Sequence, residues 1–105
     1  MNIKTSITQI ELKKLIEAKT KLILLDVRSK EEFEQSHISF AENIPLSEIE
    51  KNNFNPEANT IIVTACGKGG GRSESAANHI RTNSSNQVYF LEGGTFGWLE
   101  NEIRG

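Results

Sequence analysis

The chain has 105 residues, 36% hydrophobic and 25% charged, with a formal net charge of −2. That length supports one hydrophobic core and not two, so a single domain over residues 1–105 is expected, and the ordinary composition argues against a disordered chain. The small net charge gives no electrostatic case for nucleic acid or an anionic membrane as partner, and no apolar run approaches the roughly 20 residues that span a bilayer.

The first 14 residues are polar and lack the apolar core of a secretion signal. A single cysteine cannot close an intramolecular disulfide, which points to a reducing, cytoplasmic setting. Ile3 to Ile7 alternates apolar and polar residues and predicts a short first strand. Thr8-Gln9-Ile10-Glu11 fits a capping box, and Ile10, Leu12, Leu15 and Ile16 supply an apolar stripe near helical spacing. A helix from Ile10 to Ala18 is therefore expected. Leu22 to Val27 shows almost no polar alternation, as in a strand of a parallel sheet covered on both faces. Ser29-Lys30-Glu31-Glu32 is a second capping box, opening a short helix that carries Phe33 inward.

Ser36 to Pro45 reads as a loop feeding a short strand, Leu46 to Lys51 as one or two helical turns, and Asn52 to Asn59 as an exposed, turn-rich segment. Thr60 to Ala65 is the central apolar strand. Beyond it, Arg72 to Thr82 carries Ala76, Ala77 and Ile80 on a small-residue face suited to close packing of a helix on a sheet. Gln87 to Leu91 is the last strand, followed by Gly93-Gly94 and a closing helical turn with Phe96, Trp98 and Leu99. Strands alternating with helical segments imply an α/β domain with a mainly parallel sheet.

The chemistry is concentrated in Cys66-Gly67-Lys68-Gly69-Gly70-Gly71-Arg72-Ser73. A lone cysteine is more often a small buried hydrophobe than a nucleophile, so its surroundings decide. Here the cysteine follows a strand end, where ligand sites of open α/β sheets lie. A free thiol is roughly 3% ionised at pH 7. Inward-facing amides, a helix N-terminus and a nearby arginine each favour the anion. Gly67, Gly69, Gly70 and Gly71 let successive N–H groups turn toward one point. No histidine adjoins Cys66 in sequence, which favours activation by this cradle over a Cys–His pair. Lys68 either draws in an anionic substrate or is a solvated loop residue. Ser73 either bonds the sulfur or helps cap the following helix.

With these residues placed, the chain resembles a single-domain rhodanese from about Thr8 to Leu99. The match rests on Leu25-Asp26-Val27-Arg28 with Glu31-Glu32-Phe33, His37-Ile38 through Ala41-Glu42-Asn43-Ile44-Pro45-Leu46, the Cys66–Ser73 loop with Ala76-Ala77, and Leu91-Glu92-Gly93-Gly94 with Trp98. The resemblance implies a three-layer α/β/α fold with a five-stranded, mainly parallel sheet. It also implies sulfurtransferase chemistry without a metal or organic cofactor. Cys66 would take a sulfane sulfur from a small donor anion such as thiosulfate and pass it to a thiol or protein acceptor, with Arg72 as the second catalytic residue. Gly67, Lys68, Gly69, Gly70, Gly71 and Ser73 would bind substrate.

Departures from the family pattern sharpen the question. The usual loop counts six residues from cysteine through arginine, whereas Cys66 through Arg72 counts seven, the length found in cell-cycle phosphatases and arsenate reductases that share the fold. A wider ring suits a tetrahedral oxyanion. Against that, Ala65 stands where those phosphatases commonly have histidine, and the loop has no carboxylate to serve as general acid. Ser36 and Phe40 replace usual glycines, and Glu102 and Arg104 replace a usual Gly and Pro. A phosphatase or arsenate-reductase-like enzyme, or a non-catalytic sulfur-relay or binding domain, are thus the alternatives. Among the remaining candidates, Asp26 either orders neighbouring loops or tunes Cys66. Arg28 is expected to make a surface pair with Glu31 or Glu32, worth little. His37 is expected to pack or hydrogen-bond rather than bind metal, because the other histidine, His79, is on a separate helix. Phe96 and Trp98 are assigned to the core or its rim.

Overall fold

The computed structural model describes residues 4–104. Ten elements follow in order: β1 (Ser6–Ile7), α1 (Gln9–Glu17), β2 (Leu22–Asp26), α2 (Lys30–Gln35), β3 (Glu42–Asn43), α3 (Leu46–Glu50), β4 (Ile61–Ala65), α4 (Gly71–Asn83), β5 (Val88–Leu91) and α5 (Gly94–Arg104). The five strands form one sheet in the order β1-β5-β4-β2-β3, and every pairing is parallel. Ile3, where the first strand was expected to begin, lies outside the described residues.

Successive strand residues point to opposite faces, and the two faces carry separate cores. Leu25, Ile62 and Val88 pack with Ile49 of α3 and Ala76, Ala77 and Ile80 of α4. Leu24, Val63, Ala65 and Leu91 pack on the other side with Leu12 of α1 and Trp98 of α5. Burial on both faces explains why β2 and β4 read as unbroken apolar runs. The small-residue face of α4 lets that helix lie close to β4 and β5.

Both predicted capping boxes form. Thr8 Oγ1 accepts from the Glu11 amide at 3.1 Å while Glu11 Oε1 accepts from the Thr8 amide at 2.9 Å. Ser29 and Glu32 do the same for α2. Asn52 and Asn59 both adopt positive φ, at 62° and 64°, as a turn-rich connection requires. Three details differ from expectation. In α1 only Leu12 and Leu15 turn inward, while Ile10 is 68% and Ile16 39% exposed. A helix advances about 100° per residue, which sets Ile10 roughly opposite Leu12. Phe33 stacks on the exposed His37 ring at 3.8 Å instead of entering a core. The closing helix runs for 11 residues, not a single turn. With Glu102 and Arg104 where a Gly and a Pro would stop it, nothing breaks the backbone ladder, and Trp98 Nε1 donates to Glu102 one turn on.

Candidate active site

Cys66 follows the last residue of the central strand β4, and its side chain is 94% buried, since only 6% of its surface is accessible. The loop that leaves it is shaped from outside by α5. The Thr95 amide donates to Cys66 O at 2.7 Å and the Phe96 amide to Gly67 O at 2.9 Å. These bonds turn the first two loop carbonyls toward the N-terminus of α5. Two glycines make the approach feasible. Gly69 has φ of +87°, and a Cβ there would stand 2.8 Å from the Gly93 amide nitrogen. Gly94 has φ of +61°, and a Cβ there would stand 2.4 Å from Cys66 O. Only glycine satisfies both the left-handed backbone and the close approach.

The loop ends at Gly70, the N-cap residue of α4, so the start of a 13-residue helix sits directly beyond it. Thr64 Oγ1, at the end of β4, donates to Ser73 O at 2.7 Å and ties this first turn to the strand. Cys66 Sγ lies 3.4 Å from Ser73 Oγ and 3.5 Å from Gly70 O. Ser73, fully buried, donates its hydroxyl to Gly70 O at 2.8 Å. Ser73 therefore touches the sulfur, while its hydroxyl donates to the Gly70 carbonyl and accepts no orphan N–H, so it makes no side-chain cap of α4.

Lys68 is exposed at the loop tip. Gly67 is buried, with a prospective Cβ 3.1 Å from the Phe96 ring, while Gly71 opens α4 in open space. The Arg72 guanidinium turns to α2 and engages Glu32 through both arms, Nη1 to Oε1 at 2.8 Å and Nη2 to Oε2 at 3.2 Å. That hydrogen bonding, helped by the Ser29 amide, holds the Glu32 carboxyl at about 2, well below the usual carboxylate range. The same bonds raise the Arg72 pKa, with smaller electrostatic contributions from Cys66 and Asp26. Both arms of the guanidinium are thus committed to Glu32.

Arg28 departs most from the sequence reading. It is not on the surface and does not pair with Glu31 or Glu32. Its side chain is 1% exposed and forms a buried pair with Asp26, with Nη2 to Oδ2 at 2.6 Å. Arg28 Nε and the Arg28 amide also donate to Oδ1 at 2.9 and 3.0 Å, and Nη2 reaches Ser36 O at 2.7 Å. The pair escaped sequence reasoning because β2 ends at Asp26, and only the curl of the chain beyond it brings Arg28 back over the carboxylate. Asp26 also accepts from Thr95 Oγ1 at 3.4 Å, and the Arg28 guanidinium lies 5.4 Å from the centre of the Phe96 ring. The pair thus buttresses the two residues whose amides hold Cys66 and Gly67. Thr95 and Glu32 carry no local sequence signal for these roles. His37 Nδ1 lies 2.8 Å from Phe33 O, a hydrogen-bonding position. Among the described residues no group of three or more His, Cys, Asp or Glu is placed to hold a metal, and no helix is long and apolar enough to cross a membrane.

Comparison with known proteins agrees with this architecture. The chain is 36% identical over 75 residues to the uncharacterised Bacillus subtilis protein YqhL, covering 71% of this chain and 59% of that one. It is 34% identical over 97 residues to a second Bacillus subtilis protein, "Putative sulfur carrier protein YrkF", covering 90% and 52%. The chain therefore spans little more than half the length of these relatives. The human single-domain sulfurtransferase TSTD1 superposes with a TM-score of 0.80 at 26% identity, covering 93% of this chain and 97% of that one. Residues 8–101 match the family described as rhodanese-like domain, and with the sheet order and the loop after β4 in place, the chain belongs to that family.

Proposed function

We infer that this chain is a rhodanese-type sulfurtransferase in which Cys66 is nucleophile and sulfur carrier. The observation that carries the reading is the seat of Cys66: a thiol at the carboxyl end of the central strand, facing the first turn of α4, in a loop whose leading carbonyls are tied back by α5. The names of TSTD1, a sulfurtransferase, and YrkF, a sulfur carrier, support the same chemistry. In the first half-reaction the Cys66 thiolate attacks the outer sulfur of the donor. With thiosulfate the S–S bond breaks, sulfite leaves with the electron pair, and a Cys66 persulfide anion remains. In the second, a nucleophilic acceptor attacks the outer sulfur and departs with it, restoring the thiolate. The acceptor is cyanide in an assay and a thiol or protein in the cell. No oxidant is consumed.

The residues divide the work as follows. Amides of the Gly67–Arg72 segment and the positive end of α4 stabilise the sulfur anion. Ser73 swings its hydroxyl proton from Gly70 O to the sulfur when Cys66 ionises. Lys68 draws anionic donors to the mouth, and Arg72 adds positive charge beside it. Asp26 is a positioning residue, acting through Arg28 and Thr95. A reducing cytoplasmic setting, which keeps the thiol free, fits this cycle.

A second reading rests on the seven-residue span from Cys66 through Arg72: a phosphatase or arsenate-reductase-like enzyme. That reading needs Arg72 on the oxyanion, and its guanidinium is engaged by Glu32, so sulfur transfer is the better supported of the two. Parallel assays separate them. Thiocyanate formed from thiosulfate and cyanide, and lost in Cys66→Ser, is the expected result. Phosphate released from an aryl phosphate without sulfur transfer would overturn it.

A further inference from the structure

Arg72 and Glu32 lie 40 residues apart in sequence and are joined only by the fold. Their geometry is that of a closed fork, with both guanidinium arms on both carboxylate oxygens. Glu32 cannot follow Arg72 outward. Its Oε1 also accepts from the Ser29 amide and the Ser29 hydroxyl, each at 3.1 Å, as the third residue of the α2 capping box. The carboxylate is therefore anchored in a helix, and it positions the arginine rather than the reverse. A tetrahedral dianion arriving at the loop meets a guanidinium whose charge is already paired, with a fixed negative charge beside it. A persulfide, R–S–SH or its monoanion, asks for no such grip.

We propose that Glu32 is a specificity-determining residue of this site: by holding Arg72 it biases the loop toward thiol persulfides as sulfur donors and against tetrahedral dianions such as thiosulfate, phosphate and arsenate. The inference rests on the sulfur-transfer reading of Cys66. The favoured step balances without a co-reactant: Cys66–S⁻ and R–S–SH give Cys66–S–SH and R–S⁻, one S–S bond forming as another breaks. The R–S⁻ leaving group takes the electron pair. The side chains of Arg72 and Glu32 are 45% and 40% exposed, and exposed pairs of this kind are weak. The bias is accordingly a matter of several-fold, enough to rank donors but not to exclude one.

Sulfate, an unreactive tetrahedral dianion, is the probe, read by its protection of Cys66 from iodoacetamide. Glutamine at the third helical position preserves the capping box, so Glu32→Gln removes the charge while keeping the fold. Glu32→Gln should bind sulfate about fivefold more tightly, and its preference for thiosulfate over a thiol persulfide, as the ratio of kcat/KM values, should rise similarly. Ser29→Ala, which removes one of the two bonds that anchor the carboxylate but leaves both charges, should raise sulfate affinity less than Glu32→Gln does. Adding Arg72→Ala to Glu32→Gln should abolish the gain. Unchanged sulfate affinity in Glu32→Gln, or a gain that survives without Arg72, overturns the proposal. Sulfur uptake by the wild-type protein from a thiol persulfide is scored separately. Its absence would sink the donor assignment, and absence of uptake from thiosulfate as well would sink the sulfur-transfer reading, whereas the sulfate arm judges the Glu32 bias by itself.

Discussion

Ser73 and Glu32 show how far single side chains govern this site. The Ser73 hydroxyl sits between the sulfur and Gly70 O, so it serves a thiol and a thiolate equally by rotating one proton. Ser73→Ala removes the only hydroxyl donor described at the sulfur. One such hydrogen bond is worth about 0.5–1.5 kcal/mol. Alkylation of Cys66 by iodoacetamide at neutral pH should accordingly slow by about threefold to tenfold, with the fold retained by circular dichroism; an unchanged rate would leave Ser73 only its bond to the Gly70 carbonyl. Glu32 gives a pH-dependent prediction. Its carboxyl is depressed to about 2 in the folded protein, chiefly by Arg72, against an unfolded value near 4.3. A depressed acid contributes stability above its unfolded pKa and loses it as pH falls through the folded one. The stability difference between wild type and Glu32→Gln should thus be constant from pH 7 to about 5 and shrink between about 4.5 and 2. Thermal melts across that range check the sign, and a difference that grew on acidification would contradict it.

At the scale of elements, the β2 exit and the α5 entrance act as one brace for the loop. Asp26 and Arg28 are fully buried, and removing one partner of a buried pair strands the other charge at about 3–5 kcal/mol. Asp26→Ala should lower stability by that amount in urea unfolding. Asp26→Leu combined with Arg28→Met should recover much of it while reducing activity, since Thr95 and Phe96 lose their support. A double mutant as unstable as the sum of the singles would show that the pair is not an isolated unit. Gly94→Ala drives a methyl against Cys66 O in a left-handed backbone, whose cost alone is about 1–2 kcal/mol. Loss of sulfur transfer at a temperature where the variant remains folded is the expected outcome. Elements with a local code were readable in advance: two capping boxes, the two-faced strands β2 and β4, and the Ala76-Ala77 face of α4. The length of α5 was not, because two of its first four residues are glycines, which lower helix propensity.

For the molecule as a whole, the parallel sheet brings the ends of β2 and β4 side by side, pairing Asp26 with Ala65 in register. That juxtaposition builds the site from segments far apart in sequence. It also marks what could be read from the chain alone. Cys66, the glycines around it and Ser73 are consecutive, so the loop that seats the thiol was legible. The Arg72–Glu32 fork and the Asp26–Thr95 contact depend on crossover connections that bring remote residues together, and composition and spacing hold no record of them. A domain of this size has about 5–15 kcal/mol of net stability, so stranding either charge of the Asp26–Arg28 pair would remove a large share of it. The central claim, that Cys66 carries sulfur, is tested most directly by the intact-protein mass after treatment with a sulfane-sulfur donor. The account predicts the gain of one sulfur atom, its removal by cyanide or an excess thiol, and no gain in Cys66→Ser. A protein that gains no sulfur from either thiosulfate or a thiol persulfide, or that gains it equally in Cys66→Ser, would contradict it.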